Sequence, residues 1–143
     1  MPRQPQRYGG GRGDLTVVID CSDLERAGEF WAAVLGYVRD GEPEGRYLSL
    51  IPSDGMGVEV MLQRVPEAKL TKNRVHLDLR TRDLNGEVAR IRALGATQLT
   101  NEPILEYGWT WHILGDPDGN EFCVLQPGHE YWDTPEQVLA EER

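Results

Sequence analysis

The sequence predicts an α+β fold built from two copies of a βαβββ module. Three observations predict it. Hydrophobic spacing switches from strand-like to helix-like near the start of each half. The capping aspartates Asp23 and Asp83 stand 83 − 23 = 60 residues apart, each followed by a leucine, Leu24 and Leu84. The Leu-Gly pairs that close the two helical stretches, Leu35-Gly36 and Leu94-Gly95, recur at 94 − 35 = 59. A period near 60 with only two copies points to duplication rather than a solenoid. One module cannot cover its own sheet, so the pair is expected to share a core or a cleft.

Residues 1–13 combine Pro, Gln, Arg and Gly and offer little apolar surface, so a flexible tail is expected there. Residues 14–65 form the first module. Leu15–Asp20 is β-branched and compact, as a strand requires. Ser22 and Glu25 have capping-box spacing, and apolar residues recur at Leu24, Ala27, Phe30, Trp31, Val34 and Leu35 before Gly36. Strands follow over Arg46–Ile51 and Gly57–Gln63, separated by Pro52-Ser53-Asp54-Gly55. Residues 66–73 read as an exposed linker.

Residues 74–127 form the second module. The strand over Val75–Arg80 alternates, with Val75, Leu77 and Leu79 on one face and His76, Asp78 and Arg80 on the other. Asp83 caps a helix with apolar positions at Leu84, Val88, Ile91 and Leu94. Residues 96–106 hold a short strand and an irregular stretch around Pro103. Gly108–Leu114 is a strand in which Trp109 and Trp111 share one face and Thr110 and His112 the other. Asp116-Pro117-Asp118-Gly119 fits a type I turn, and Glu121–Gln126 is the last strand. Residues 128–143 form a C-terminal tail. In it, Thr134-Pro135-Glu136-Gln137 opens a short helix, and Tyr131 and Trp132 are placed to pin the tail to the body.

Composition excludes several classes. The formal net charge is −9 with no basic run, which argues against nucleic acid. No apolar run approaches the roughly 20 residues of a membrane span, and the N-terminus has no apolar signal region. The two cysteines, Cys21 and Cys123, lack metal spacing and suit a reduced, cytoplasmic protein. Neither a GxSxG hydrolase context nor a GxGxxG dinucleotide loop is present.

The segments Val17–Asp23, Phe30-Trp31, Leu35-Gly36-Tyr37, Val75–Asp78, Leu94-Gly95-Ala96 and Asp116–Phe122 together resemble the vicinal oxygen chelate superfamily. That superfamily includes glyoxalase I, bleomycin-resistance and fosfomycin-resistance proteins and extradiol dioxygenases. The wording is most similar to its glyoxalase-like domain branch. The resemblance covers about residues 14–127 and implies an open, barrel-like mixed sheet around a cleft, often completed in a homodimer.

Metal-using members carry His or Gln on the first strand of each module and Glu on the last. His76 and Glu121 match in the second module. The first module departs, because Thr16 occupies the position equivalent to His76. Threonine is a poor ligand for a divalent ion. Glu59 is the first module's candidate carboxylate, offset by 121 − 59 = 62 from Glu121, and a slip of one residue would turn it to the wrong face. His112 is a candidate third ligand, because a catalytic metal usually keeps three protein ligands and one open position. Each residue also has a plain structural role: a cleft histidine for His76, a carboxylate paired with a cation such as Arg80 for Glu121, a sheet histidine for His112, and a solvated strand glutamate for Glu59.

Two functions follow from these residues. The first is a small-molecule-binding protein of the bleomycin-resistance type, which holds an aromatic or amphipathic metabolite without metal. Asp20, Asp78, Arg80, Trp109, Trp111 and His112 are its candidate ligand-binding residues. The second is a lyase, isomerase or dioxygenase that uses one divalent ion (Zn, Ni, Mn or Fe) held by His76, Glu121 and either Glu59 or His112.

Overall fold

The computed structural model describes residues 7–8 and 12–132. The chain divides into two compact units, Met1–Leu70 and Thr71–Arg143. No helix among the described residues is long and apolar enough to cross a membrane.

The first unit opens with β1 (Arg7–Tyr8) paired antiparallel with β2 (Gly13–Asp14), inside the stretch expected to be a tail. The module proper is β3 (Thr16–Cys21), α1 (Leu24–Leu35), β4 (Tyr37–Arg39), β5 (Tyr47–Pro52) and β6 (Glu59–Arg64). The sheet order is β3-β6-β5-β4. The first strand pairs parallel with the last, and the other pairs are antiparallel. The α1 cap is Asp23, not Ser22: its carboxylate accepts from Glu25 N at 3.0 Å and Arg26 N at 3.2 Å. Gly36 closes the helix in the left-handed region, φ 68°.

Helix α1 buries Leu24, Ala27, Phe30, Trp31 and Val34 on the side of the sheet that carries Ile19, Cys21, Leu48, Leu50, Val60 and Leu62. Gly28 sits in the middle of this contact. A Cβ there would stand 2.7 Å from Leu48 Cδ2, so glycine lets helix and sheet approach closely despite its cost in helix propensity of about 1 kcal/mol.

The second unit repeats the order. It contains β7 (Asp78–Arg80), α2 (Leu84–Ala93), β8 (Thr97–Gln98), β9 (Ile104–Glu106), β10 (Trp109–Gly115), β11 (Glu121–Gln126) and α3 (His129–Trp132). Its sheet runs β7-β11-β10-β8, with β9 also on β10. β8 and β9 pair with opposite ends of β10, so together they take the place that β4 holds in the first unit. The parallel pairing of first and last strands recurs as β7 with β11. Leu84, Val88 and Ile91 of α2 are buried, as are Leu114, Phe122 and Val124 of the sheet.

The turn at Asp116–Gly119 forms as expected, with Gly119 N donating to Asp116 O at 2.9 Å. The buried Asp116 carboxylate ties the loop together, accepting from Asp118 N, Asn120 N and Asn120 Nδ2 at 2.8–3.0 Å. The strand expected over Val75–Arg80 is shorter than its alternation suggests and begins at Asp78. The helix expected at Thr134–Gln137 lies outside the described residues.

The β9–β10 hairpin turns on two residues, Tyr107 (φ 52°) and Gly108 (φ 79°), with Glu106 and Trp109 paired across it. Two positive φ values suit a type I′ turn, where Asn-Gly is the favoured pair. Tyrosine pays roughly 1 kcal/mol for the left-handed conformation, and its side chain is 95% exposed. Tyr107→Asn is therefore expected to raise stability by about 1 kcal/mol, seen as a higher urea midpoint at unchanged m-value. A lower midpoint would show that the tyrosine ring gains more from its surroundings than its backbone loses.

Candidate functional site

The two-residue period of a strand sorts each sheet into a helix-covered face and an opposite face. In the first unit the opposite face carries Thr16, Val18 and Asp20 of β3, Glu59, Met61 and Gln63 of β6, and Ser49 of β5. The register sets Thr16 directly against Glu59. This resolves the one-residue question left by the sequence: Glu59 shares the face of Thr16. Thr16 Oγ1 donates to Glu59 Oε1 at 3.0 Å, and the Ser49 hydroxyl donates to Glu59 Oε2. Two hydroxyls thus bind the carboxylate. Asp20 is exposed on the same face, opposite Gln63.

In the second unit the register places Asp78 beside Cys123 and Arg80 beside Leu125, while Trp111 opposes Leu125 and Gly115 opposes Glu121. Asp78, Arg80, Trp109, Trp111, Cys123 and Glu121 therefore share one face. His112 does not join them. It lies on the helix-covered face at 6% exposure, with Nδ1 2.8 Å from Thr100 Oγ1 and 3.4 Å from Gln98 Nε2. Its candidacy as a third ligand or ligand-binding residue is corrected by that placement: helix burial claimed the Thr110/His112 side and left the tryptophan side open.

Two further residues act here that sequence reasoning placed only as anchors of the tail. Tyr131 of α3 stacks edge-on against Trp109, centroids 5.6 Å apart, and against Trp132 at 4.7 Å. The Arg80 guanidinium lies over Trp109 (5.6 Å) and Tyr131 (5.0 Å), and its Nη1 donates to Tyr131 Oη at 3.0 Å. Arg82 stacks on Trp132 at 4.6 Å. A cleft of about 560 Å³ opens beside this cluster, lined by Tyr107, Gly108, Trp109, Gly128, His129, Glu130 and Tyr131. Gly128 matters to it, since a Cβ there would stand 3.1 Å from Trp109 Nε1.

The metal candidates fit a resident ion poorly. Extending the β7–β11 register by two residues would set His76 against Glu121, but the ladder ends at Asp78. His76 is exposed, with Nε2 3.5 Å from Lys72 Nζ, and an ammonium there opposes a bound cation. Glu121 Oε2 accepts from Asn73 N at 3.1 Å, and Asn73 Nδ2 donates to Glu121 O at 3.0 Å. Among the described residues no group of three His, Cys, Asp or Glu side chains converges in a way that could hold an ion.

Both cysteines are buried free thiols. Burial, the Asp78 charge and a hydrogen bond to Asp78 push the Cys123 thiol up to about 11, with Lys72 acting weakly the other way. The folded-state value stands above the thiol's ordinary 9.0, so the associated stability is complete below pH 9 and disappears as pH rises toward about 11. Urea midpoints are therefore expected to fall more steeply between those pH values in the native protein than in Cys123→Ala. Parallel slopes would mean that the thiol ionises as freely folded as unfolded.

A family model for the glyoxalase-like domain matches residues 16–125. No curated protein sequence matches the chain. Solved structures share the fold. The fosfomycin resistance protein FosX from Listeria monocytogenes, complexed with Mn(II) and dihydroxypropylphosphonic acid, is 15% identical with a TM-score of 0.65, over 92% of this chain and 98% of that one. A glyoxalase/bleomycin resistance protein/dioxygenase from Nocardioides is 17% identical, TM-score 0.64, over 82% and 85% of the two chains. A superfamily member from Sphaerobacter thermophilus is 24% identical, TM-score 0.56, over 80% and 98%.

Proposed function

The chain belongs to the glyoxalase-like domain family, within the glyoxalase/bleomycin resistance/dioxygenase superfamily, and from that premise we propose that it is a small-molecule-binding protein of the bleomycin-resistance type. It holds an aromatic or amphipathic metabolite at the tryptophan face of the second unit, without metal. The observation that carries this reading is the Arg80–Trp109–Tyr131 cluster beside the 560 Å³ cleft. That volume is within the range of small-molecule sites, roughly 300–1,000 Å³. Aromatic walls supply large contact area with little conformational freedom to lose, and offset or edge-on stacking adds orientation. Trp111, Asp78 and Glu121 extend the same face with one more ring and two carboxylates.

Titration with a panel of one- and two-ring aromatic compounds, followed by tryptophan fluorescence and thermal shift, is expected to find binders. Trp109→Ala should weaken them by on the order of tenfold or more. A panel without a binder at millimolar concentration would sink the reading.

The competing reading is a divalent-metal-dependent lyase, isomerase or dioxygenase. It is favoured by the register, which projects His76 toward Glu121 as Thr16 meets Glu59. Elemental analysis after incubation with Zn, Ni, Mn or Fe separates the two. The binding reading expects no stoichiometric metal. Near-stoichiometric metal that disappears in His76→Ala would replace it with the metal-dependent one.

A further inference from the structure

The binding reading above leaves the ligand's charge open, and resting on that reading we infer that the cleft selects an aromatic acid, with its oxyanion held by Arg80. The chain carries 24 acidic and 15 basic residues, an excess of acids over cations. Arg80 nevertheless forms no ion pair among the described residues. Its contacts are the faces of Trp109 and Tyr131 and the Tyr131 hydroxyl.

The N–H groups of a guanidinium lie in its own plane as a rigid fork. Five donors are available and the phenol takes one, at Nη1. A neutral phenol is a weak acceptor for such a cation. A carboxylate is a strong one and matches the planar fork with two parallel bonds. Exchanging the phenol for a carboxylate therefore strengthens the interaction without rebuilding the site.

The rings against which Arg80 rests are the rings that wall the cleft. His129 and Glu130 also line the cleft, and Glu130, with Asp78 and Glu121 on the same sheet face as Arg80, sets like charge against an anion. The preference is thus for a single oxyanion placed toward Arg80 and an uncharged aromatic body toward Trp109 and Tyr107. A ligand with acidic groups at both ends meets Glu130 with one of them. The overall charge of −9 offers no long-range attraction for an anion, so selection rests on this local cation.

The test compares 2-naphthoate with 2-naphthamide, a pair alike in shape and different in charge, by isothermal titration on the full chain. The acid is expected to bind on the order of tenfold more tightly, as a hydrogen-bonded charge should, and less so as salt rises. Arg80→Met keeps the apolar stem and is expected to bind the two compounds equally. Arg80→Lys restores charge without the fork and is expected to recover part of the preference. Circular dichroism and melting temperature of each variant check that the exposed substitution leaves the fold intact. Equal binding of acid and amide to the native chain, or a preference that survives in folded Arg80→Met, would overturn the inference and leave the binding reading standing. Binding of neither compound, together with an empty aromatic panel, would overturn both.

Discussion

Parallel pairing of the first strand with the last is the constraint on which each unit depends. In an antiparallel hairpin the turn sets the register, whereas here a helix and two or more strands intervene between the partners. The register is held by burial instead. Ile19 and Cys21 must face α1 together with Val60 and Leu62. A one-residue slip of β6 would turn Leu62 to the open face and Glu59 toward the helix. The same burial that fixes the core therefore aims Glu59 at Thr16, and in the second unit aims Arg80, Trp109 and Glu121 to one side. Core and candidate site are two faces of a single choice of register.

Much of this was legible in sequence. Helical spacing, the capping aspartates, Gly36 and the Asp116–Gly119 turn all report local chemistry, and local chemistry decided those elements. The parity of β10 was also legible, because tryptophan and polar positions alternate along it. Which parity meets solvent was not. Helix α2 decides that, and His112 went to the covered side with Thr100 and Gln98 as partners. The strand expected from Val75 fails for a related reason. Its alternation is real, but Val75 is 83% exposed, and the ladder with β11 has nothing to bury before Asp78. Arg80 and Tyr131 stand 51 residues apart, and no spacing rule brings such a pair together.

The two units have diverged around equivalent carboxylates. Glu59 is bound by two hydroxyls from neighbouring strands, those of Thr16 and Ser49. The Glu121 carboxylate accepts from the backbone N–H of Asn73, in the segment just ahead of the strand, while the Asn73 side chain donates to the Glu121 backbone carbonyl. Glu59 thus turns both carboxylate oxygens, and Glu121 one, toward donors of its own unit.

Arg80 rests on the tryptophan face with no ion pair among the described residues. A buried arginine without an acid would be severely penalised by desolvation. Arg80 avoids the penalty because it is exposed as well as ring-packed, and its Nη1 donates to the Tyr131 phenol. The cluster is stable without a ligand and is already in place when one arrives. A preformed site forfeits little ordering entropy on binding. Edge-on contacts from Trp109 through Tyr131 to Trp132 hold the short helix α3 against the sheet in the same step. The aromatic packing that anchors the end of the domain is thus also the packing that keeps the arginine poised beside the cleft.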